Sequence, residues 1–235
     1  MKSYKPGYSI LITTGLLLFS LLALTAAQAE ESERNGQPFF SLSTQVVSAD
    51  ATNVTSALGL SPFNILNQID SSLDTEIGWG ITGSVGWLYD SNWHFEAELG
   101  HKAMELGEAF GGGVADTIGG EWNIETFFMN GGYDFRGDSF ITPYVGLGIG
   151  VGLHELTVNQ VATIPVIMAE QFQVTPAAQA RVGVNFEVAE DMDITMGYRF
   201  MALVNPDFNS IAFENLYIHN FEVGLKFYIE DMIYD

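Results

Sequence analysis

No cysteine occurs anywhere in the 235 residues. Disulfides, zinc–thiolate sites and cysteine nucleophiles are therefore excluded. Basic residues are scarce as well: eight Lys and Arg stand against 29 Asp and Glu, for a net charge of −21. A polyanion of this kind does not hold nucleic-acid phosphates, so no nucleic-acid partner is expected. Charged residues of either sign are only 16% of the chain, well short of the ~25–35% that a soluble surface wants. Long apolar runs are missing except at the N-terminus; no other stretch approaches the ~18 residues of a spanning helix. What the chain does have is 47% hydrophobic residues, 13% aromatics, 25 glycines and a mean hydropathy of +0.17. That composition excludes a disordered chain. Abundant glycine and aromatics with few charges point to β-structure. The length suits one domain.

The one apolar run reads as an export signal. Lys2 and Lys5 precede Ile10 to Ala27, and Ala27-Gln28-Ala29 has the small-x-small form of a cleavage site. Residues 1–29 are expected to be the signal peptide and residues 30–235 the mature domain. Removal takes two lysines and no acid, leaving 29 acids against 6 bases, a net charge of −23. Any membrane insertion after export must then use strands.

Alternation with a period of two runs through most of the chain, as in strands and not helices. Thr75–Tyr89 sets Ile77, Trp79, Ile81, Val85, Trp87 and Tyr89 on one face against Gly78, Gly80, Thr82, Ser84 and Gly86. Ile141–Leu153 repeats the pattern, with four glycines (146, 148, 150 and 152) opposite Val145, Leu147, Ile149 and Val151. Six shorter or noisier segments follow the same rule: Phe40–Val46, Trp93–Lys102, Phe127–Phe135, Val174–Val188, Ile194–Phe200 and Tyr217–Ile229. That makes eight expected strands. Tight turns are expected at Asp90–Asn92, Arg136–Ser139 and Ala189–Met192. Long loops are expected over Ser48–Asp74, Glu105–Glu121, His154–Gln171 and Val204–Asn215, with a short helix over Ser61–Ile69 that Pro62 would start. Short turns alternating with long loops are the pattern of an up-and-down transmembrane barrel, with turns in the periplasm and loops outside. The expected fold is all-β, an eight-stranded antiparallel barrel.

A soluble, ligand-binding barrel would turn the polar face outward, and that face should then be rich in charge. Here it is mostly Gly, Ser, Thr and Asn, which suits a narrow lumen. The apolar face carries aromatics near the strand ends. Trp87, Tyr89, Trp93, Tyr133 and Phe135 lie by the short turns, and Trp79 and Trp122 by the long loops. These positions suit two aromatic girdles at the lipid interfaces. The membrane-spanning reading is therefore preferred over the soluble one, and a bilayer demands a closed barrel.

The ordered runs FFMNGGYDF, TPYVGLGIGVG, ARVGVNFEV, MGYRF and HNFEVGLKFYI resemble the small outer-membrane barrels of the opacity-protein and surface-antigen type, within the OmpA-like group of Gram-negative bacteria. The resemblance is good over residues 127–229 and rests on pattern alone before that. It implies a non-enzymatic, monomeric barrel in the cell outer membrane, inserted by the barrel-assembly machinery. The family's roles include envelope integrity, adhesion and exposure to host immunity. No cofactor is implied. One departure stands out: the last strand of such barrels commonly ends the chain on an aromatic residue. Here Phe227 and Tyr228 are followed by Glu230–Asp235, and no peptidoglycan-binding domain is expected after them.

The inward charges Glu96, Glu98, Lys102, Arg181, Arg199, Glu222 and Lys226 are of both signs. Pairing across the lumen is preferred over an ion path, because a buried unpaired charge is costly. The alternative of a lipid-modifying enzyme requires a serine placed beside His94, His101, His154 or His219. None adjoins them in a productive position, and the four histidines lack metal-site spacing. No catalytic, cofactor or metal residue is assigned. The four long loops hold eleven acids and no Lys or Arg. Such a surface is either simply solvated or attracts divalent cations or basic host or matrix surfaces.

Overall fold

The computed structural model describes residues 36–57, 71–111, 114–137, 139–161, 164–165, 171–208 and 211–229. The expected export signal, the short helix over Ser61–Ile69 and the tail from Glu230 lie outside the described residues.

Among the described residues there are thirteen strands. They are β1 (Gln37–Ala49), β2 (Thr52–Ala57), β3 (Ser72–Thr75), β4 (Gly78–Leu88), β5 (Trp93–Gly111), β6 (Val114–Asp134) and β7 (Ile141–Val161), followed by β8 (Ile164–Pro165), β9 (Gln171–Ala189), β10 (Met192–Leu203), β11 (Asp207–Phe208), β12 (Ile211–Phe213) and β13 (Leu216–Tyr228). Eight of them close a ring. β1, β4, β5, β6, β7, β9, β10 and β13 pair antiparallel with their neighbours in that order, and β13 returns to β1 from Phe39↔Tyr228 to Ala49↔Ile218. Closure leaves no edge in the wall, as a lipid environment requires. All eight expected strands are present. The ends of the ring at Gln37 and Tyr228 lie beside Leu88, at the end that carries the short turns. The first turn is made by Asn92 in the left-handed region, at φ 68°, which Asn tolerates better than most residues.

The wall is inside-out. Leu147 is 70% exposed and Ile149 73%, while Glu98 and Arg199 are buried in the lumen. A soluble barrel would show the reverse, so the ligand-binding alternative is set aside.

The strands run further than expected. Most of the segments expected as loops over 105–121 and 154–171 are continuous strand in β5, β6 and β7. Their alternation persists, but the partition changes sign. Above Phe127, the outward residues of β6 become Glu125, Asn123 and Glu121, and its inward residues become Ile124, Trp122 and Ile118. On the β5–β6 side, the wall above the level of Leu99 and Phe127 therefore turns acids outward around an apolar core, like a soluble barrel, while β4 and β9 keep Trp79, Ile81, Phe172 and Val174 exposed at that height. Four of the remaining five strands close its mouth: β2 pairs with β3 and β12, β3 with β5, and β12 with β11, while β8 pairs with β7. Phe208 and Phe213 from this small sheet pack on Trp122, with ring centroids 6.1 and 5.2 Å away.

Candidate functional site: a plugged lumen and an acidic rim

The lumen is filled in three layers. At the turn end Phe39, Leu88 and Tyr228 form an apolar plug, with the Lys226 ammonium 4.2 Å from the centre of the Phe39 ring. At the mouth lies the apolar core built around Trp122, Met104, Leu156 and Leu203. Between them is a charged layer to which all eight ring strands contribute.

Arg181 ion-pairs with Glu96 and, at 3.4 Å, with Glu98. Arg199 bridges Glu98 and Glu222, the latter at 2.8 Å. Amides and hydroxyls occupy further sites on the carboxylates. Gln45 Nε2 donates to Glu222 at 3.0 Å, Ser84 Oγ to Glu96 at 3.0 Å and Asn130 Nδ2 to Glu96 at 3.1 Å. Tyr144 reaches Glu222 at 3.4 Å, and Gln179 donates to Asn130 at 2.6 Å. Lys226 lies lower and faces Asp134 at 3.6 Å, beside the His94–Asp134 pair at 3.0 Å. The structure thus brings together Glu96, Glu98, Arg181, Arg199 and Glu222, and gives Lys226 a separate partner. Lys102 is inward and fully buried, but no carboxylate stands within ion-pair distance and its ammonium makes no hydrogen bond among the described residues. It does not join the network. The polar partners Gln45, Asn130, Gln179 and Tyr144 all lie on the face that the alternation turns inward, and it is the fold that brings them onto the carboxylates.

The glycine face of β7 makes this density possible at a specific place. A Cβ at Gly148 would sit 1.9 Å from Asn130 Oδ1 and 3.0 Å from Gln179 Cγ, whereas one at Gly146 would meet nothing nearer than 3.5 Å. The cavity left within the charged layer is only about 40 Å³, room for one or two waters.

The outward aromatics fall in two bands. Trp87, Tyr89, Trp93, Tyr133 and Phe135 lie on the outer wall near the short turns, where Trp93 and Tyr133 meet edge-on with centroids 5.3 Å apart. Trp79 is on the outer wall at the other end, 5.4 Å from the His101 ring. Trp122 is not in a girdle. It is fully buried, because its even number puts it on the lumen side of β6 with Asn130 and Asp134, while Phe127, Met129 and Tyr133 face out. Its indole donates to His154 Nδ1 at 3.2 Å, and His154 Nε2 meets Thr175 Oγ1 at 2.8 Å. Burial pushes the His154 imidazole down to about 4. The other two histidines mark the outer boundary of the apolar band. His101 Nδ1 meets Glu125 at 2.7 Å, and that hydrogen bond raises its pKa. His219 lies between Tyr198, whose hydroxyl is 2.5 Å from Nδ1, and Asp50, 3.3 Å from Nε2.

Above that boundary the outer wall is acidic without relief. Among the described residues, Lys102, Arg181, Arg199 and Lys226 all point inward and Arg136 stands at the short-turn end. None lies on the outer face of the water-exposed wall.

The family model for the outer membrane protein β-barrel domain matches residues 14–228. The chain belongs to that family. Its place is the outer membrane of a Gram-negative bacterium. Outer membrane protein PagN of Salmonella typhimurium is 26% identical over 112 residues, which are 46% of each protein, so the chain spans about half the length of the curated relative it matches. Neisserial surface protein A is similar in fold at a TM-score of 0.55 and 13% identity, over 81% of this chain and 96% of that one. The outer membrane protein OprG of Pseudomonas aeruginosa gives 0.53 and 12%, over 83% and 97%. At these identities the solved structures speak for the fold alone.

Proposed function

We propose that this outer-membrane barrel is a non-enzymatic, monomeric surface protein whose acidic rim meets cationic partners outside the cell. The observation that carries this reading is the segregation of charge: every Lys and Arg of the ring strands points inward, and the outer rim is left with carboxylates alone. Uncompensated charge of one sign raises the local concentration of the opposite sign and speeds encounter. Sulfated or phosphorylated polyanions are disfavoured by the same field.

The lumen network then has a structural role, locking eight strands together through bonds that cross the interior. The outward aromatics serve as interface girdles. Outer-membrane lipid covers the wall between them. Residues 1–29 direct export, and the barrel-assembly machinery inserts the mature chain. A catalytic reading gains no support from the histidines, since their ring nitrogens meet carboxylates, Trp122, Thr175 and Tyr198 among the described residues.

Intact cells displaying the protein should bind a polylysine-coated surface better than cells lacking it. The difference should shrink as salt rises from low to physiological, because exposed charges are screened within ~8–10 Å. Equal retention of both strains, or retention indifferent to salt, would refute the reading.

A further inference from the structure

A cleft of about 580 Å³ lies where the connection after β10, the strands β11 and β12 and the start of β13 meet β2. Its lining includes Thr55, Asn205, Asp207, Glu214, Asn215 and Tyr217. We propose that this cleft receives the guanidinium or ammonium group of a basic side chain on a partner polypeptide. The proposal rests on the surface-interaction reading above and gives it an address.

The cleft is held in shape by bonds between distant parts of the chain. Asn205 sits in the left-handed region at φ 40°, and its N–H donates to Asn215 Oδ1 at 3.3 Å. Asn215 Nδ2 in turn donates to the Tyr217 hydroxyl at 3.4 Å. The Glu214 N–H donates to Asn53 O, and Asn53 Nδ2 donates back to Glu214 Oε2 at 3.0 Å, which ties the cleft to β2. Tyr217 is 38% exposed, and its ring is stacked on Phe200 with centroids 5.8 Å apart and planes 15° apart.

These groups suit one chemical class. Two carboxylates share the cleft; among the described residues the exposed Asp207 carboxylate has no hydrogen bond or ion pair, and Glu214 keeps Oε1 free beside its bond to Asn53. No Lys or Arg of the described residues stands on this side of the wall to neutralise them. A fixed tyrosine ring at the edge attracts a cation over its face. Carboxylate pairing with a guanidinium is charge-assisted and directional. The volume is in the range of small-ligand clefts, about 300–1,000 Å³, ample for one arginine and its flanking backbone. Tyr217 is two residues above His219, at the limit of the apolar band, so the cleft opens to water and not to lipid.

The test uses the full mature chain in lipid nanodiscs and a blocked decapeptide with two arginines, compared with the same peptide carrying citrulline in their place. Binding is read by fluorescence anisotropy at low salt. The arginine peptide should bind and the citrulline peptide should not. Asp207→Asn with Glu214→Gln should weaken binding about tenfold or more, as loss of charge-assisted bonds implies. Glu105→Gln with Glu121→Gln, across the barrel on β5 and β6, should weaken it less than about twofold through the general field. Tyr217→Leu should reduce affinity without changing the salt slope. Folding of each variant is checked by its heat-modifiable mobility on gels. Equal losses from the two carboxylate pairs would assign binding to the rim's overall charge; the cleft would then be refuted and the surface reading kept. Binding of citrulline as tightly as arginine, or displacement of the peptide by calcium alone at equal occupancy, would also overturn the cleft. Failure of the arginine peptide and of polylysine together would remove both readings.

Discussion

Trp122 Nε1 donates to His154 Nδ1 across 3.2 Å at the base of the mouth core. That bond leaves Nδ1 without a proton, so Nε2 carries it and donates to Thr175 Oγ1. A neutral histidine is thereby built into the apolar core that closes the lumen, and its protonation would break the bond from Trp122.

Acid should loosen this end of the barrel through His154. Its pKa is lowered by burial from 6.5 to about 4. The unfolded chain therefore binds a proton that the folded one refuses between those values, and stability falls as pH drops from 6.5 toward 4. His154→Gln, which keeps a donor and an acceptor, should remove that part of the pH dependence, worth at most about 3 kcal/mol. Trp122 emission during urea unfolding in lipid, with the other tryptophans replaced by Phe, checks it. Identical pH profiles for the two proteins would contradict the assignment.

The charged layer should fail when one partner is removed and recover when the charge it leaves is removed too. Arg199→Met leaves Glu222 without an ion-pair partner and Glu98 with Arg181 alone, and breaking a buried pair in this way costs about 3–5 kcal/mol. Adding Glu98→Gln and Glu222→Gln should restore a large share of that loss. The urea midpoint in lipid vesicles reads both effects, and a single variant as stable as the parent would show that Arg199 is not paired.

Neighbouring changes on the two faces of β7 should destabilise for different reasons. Leu147→Arg puts a charge into lipid and should cost ~2–4 kcal/mol near mid-depth. Gly148→Ala should also destabilise, by collision with Asn130 and Gln179, while Gly146→Ala has room. Unfolding and membrane assembly measure all three. A harmless Leu147→Arg would reverse the assignment of faces.

How much of this was legible depends on the element. The eight ring strands follow from the alternation of residues such as those in 75–89 and 141–153. In sequence the upper halves of β5, β6 and β7 read as loops, because acids such as Glu105, Glu121 and Glu155 signal solvent. They are indeed in solvent, but as the outward face of a strand whose inward face has turned apolar. Trp122 illustrates the cost of weighing residue type above parity. Counting by twos from Asn130 places it in the lumen, yet an aromatic near a strand end invites the girdle reading. The short strands β2, β3, β11 and β12 pair residues far apart in sequence, such as Phe213 with Val54. No local pattern announces such pairing. The rim's acidity was plain in the composition; the cleft at Asp207 and Glu214 needed the fold.

Topology is open to a direct check. Protease added to intact cells should cut first between β2 and β3, within the stretch 48–74 that the sequence marks as a surface loop, because exposed loop tips are the favoured sites. Cleavage at Asp90–Asn92 should appear only after the periplasm is opened. The opposite order would turn the barrel over.

The central claim is that this protein acts through its outer surface and not through its lumen. Barrels of about eight strands leave an interior that side chains can fill, whereas aqueous channels are found at 16–18 strands. Here three layers fill it, with a cavity of about 40 Å³ in the charged one. The most direct measurement is the conductance of the purified mature chain in a planar bilayer. The expected record is a quiet baseline with at most small, rare openings as a lumen ion pair breaks and re-forms. Steady nanosiemens-scale steps from single molecules would contradict the plugged lumen and the structural role given to its charges.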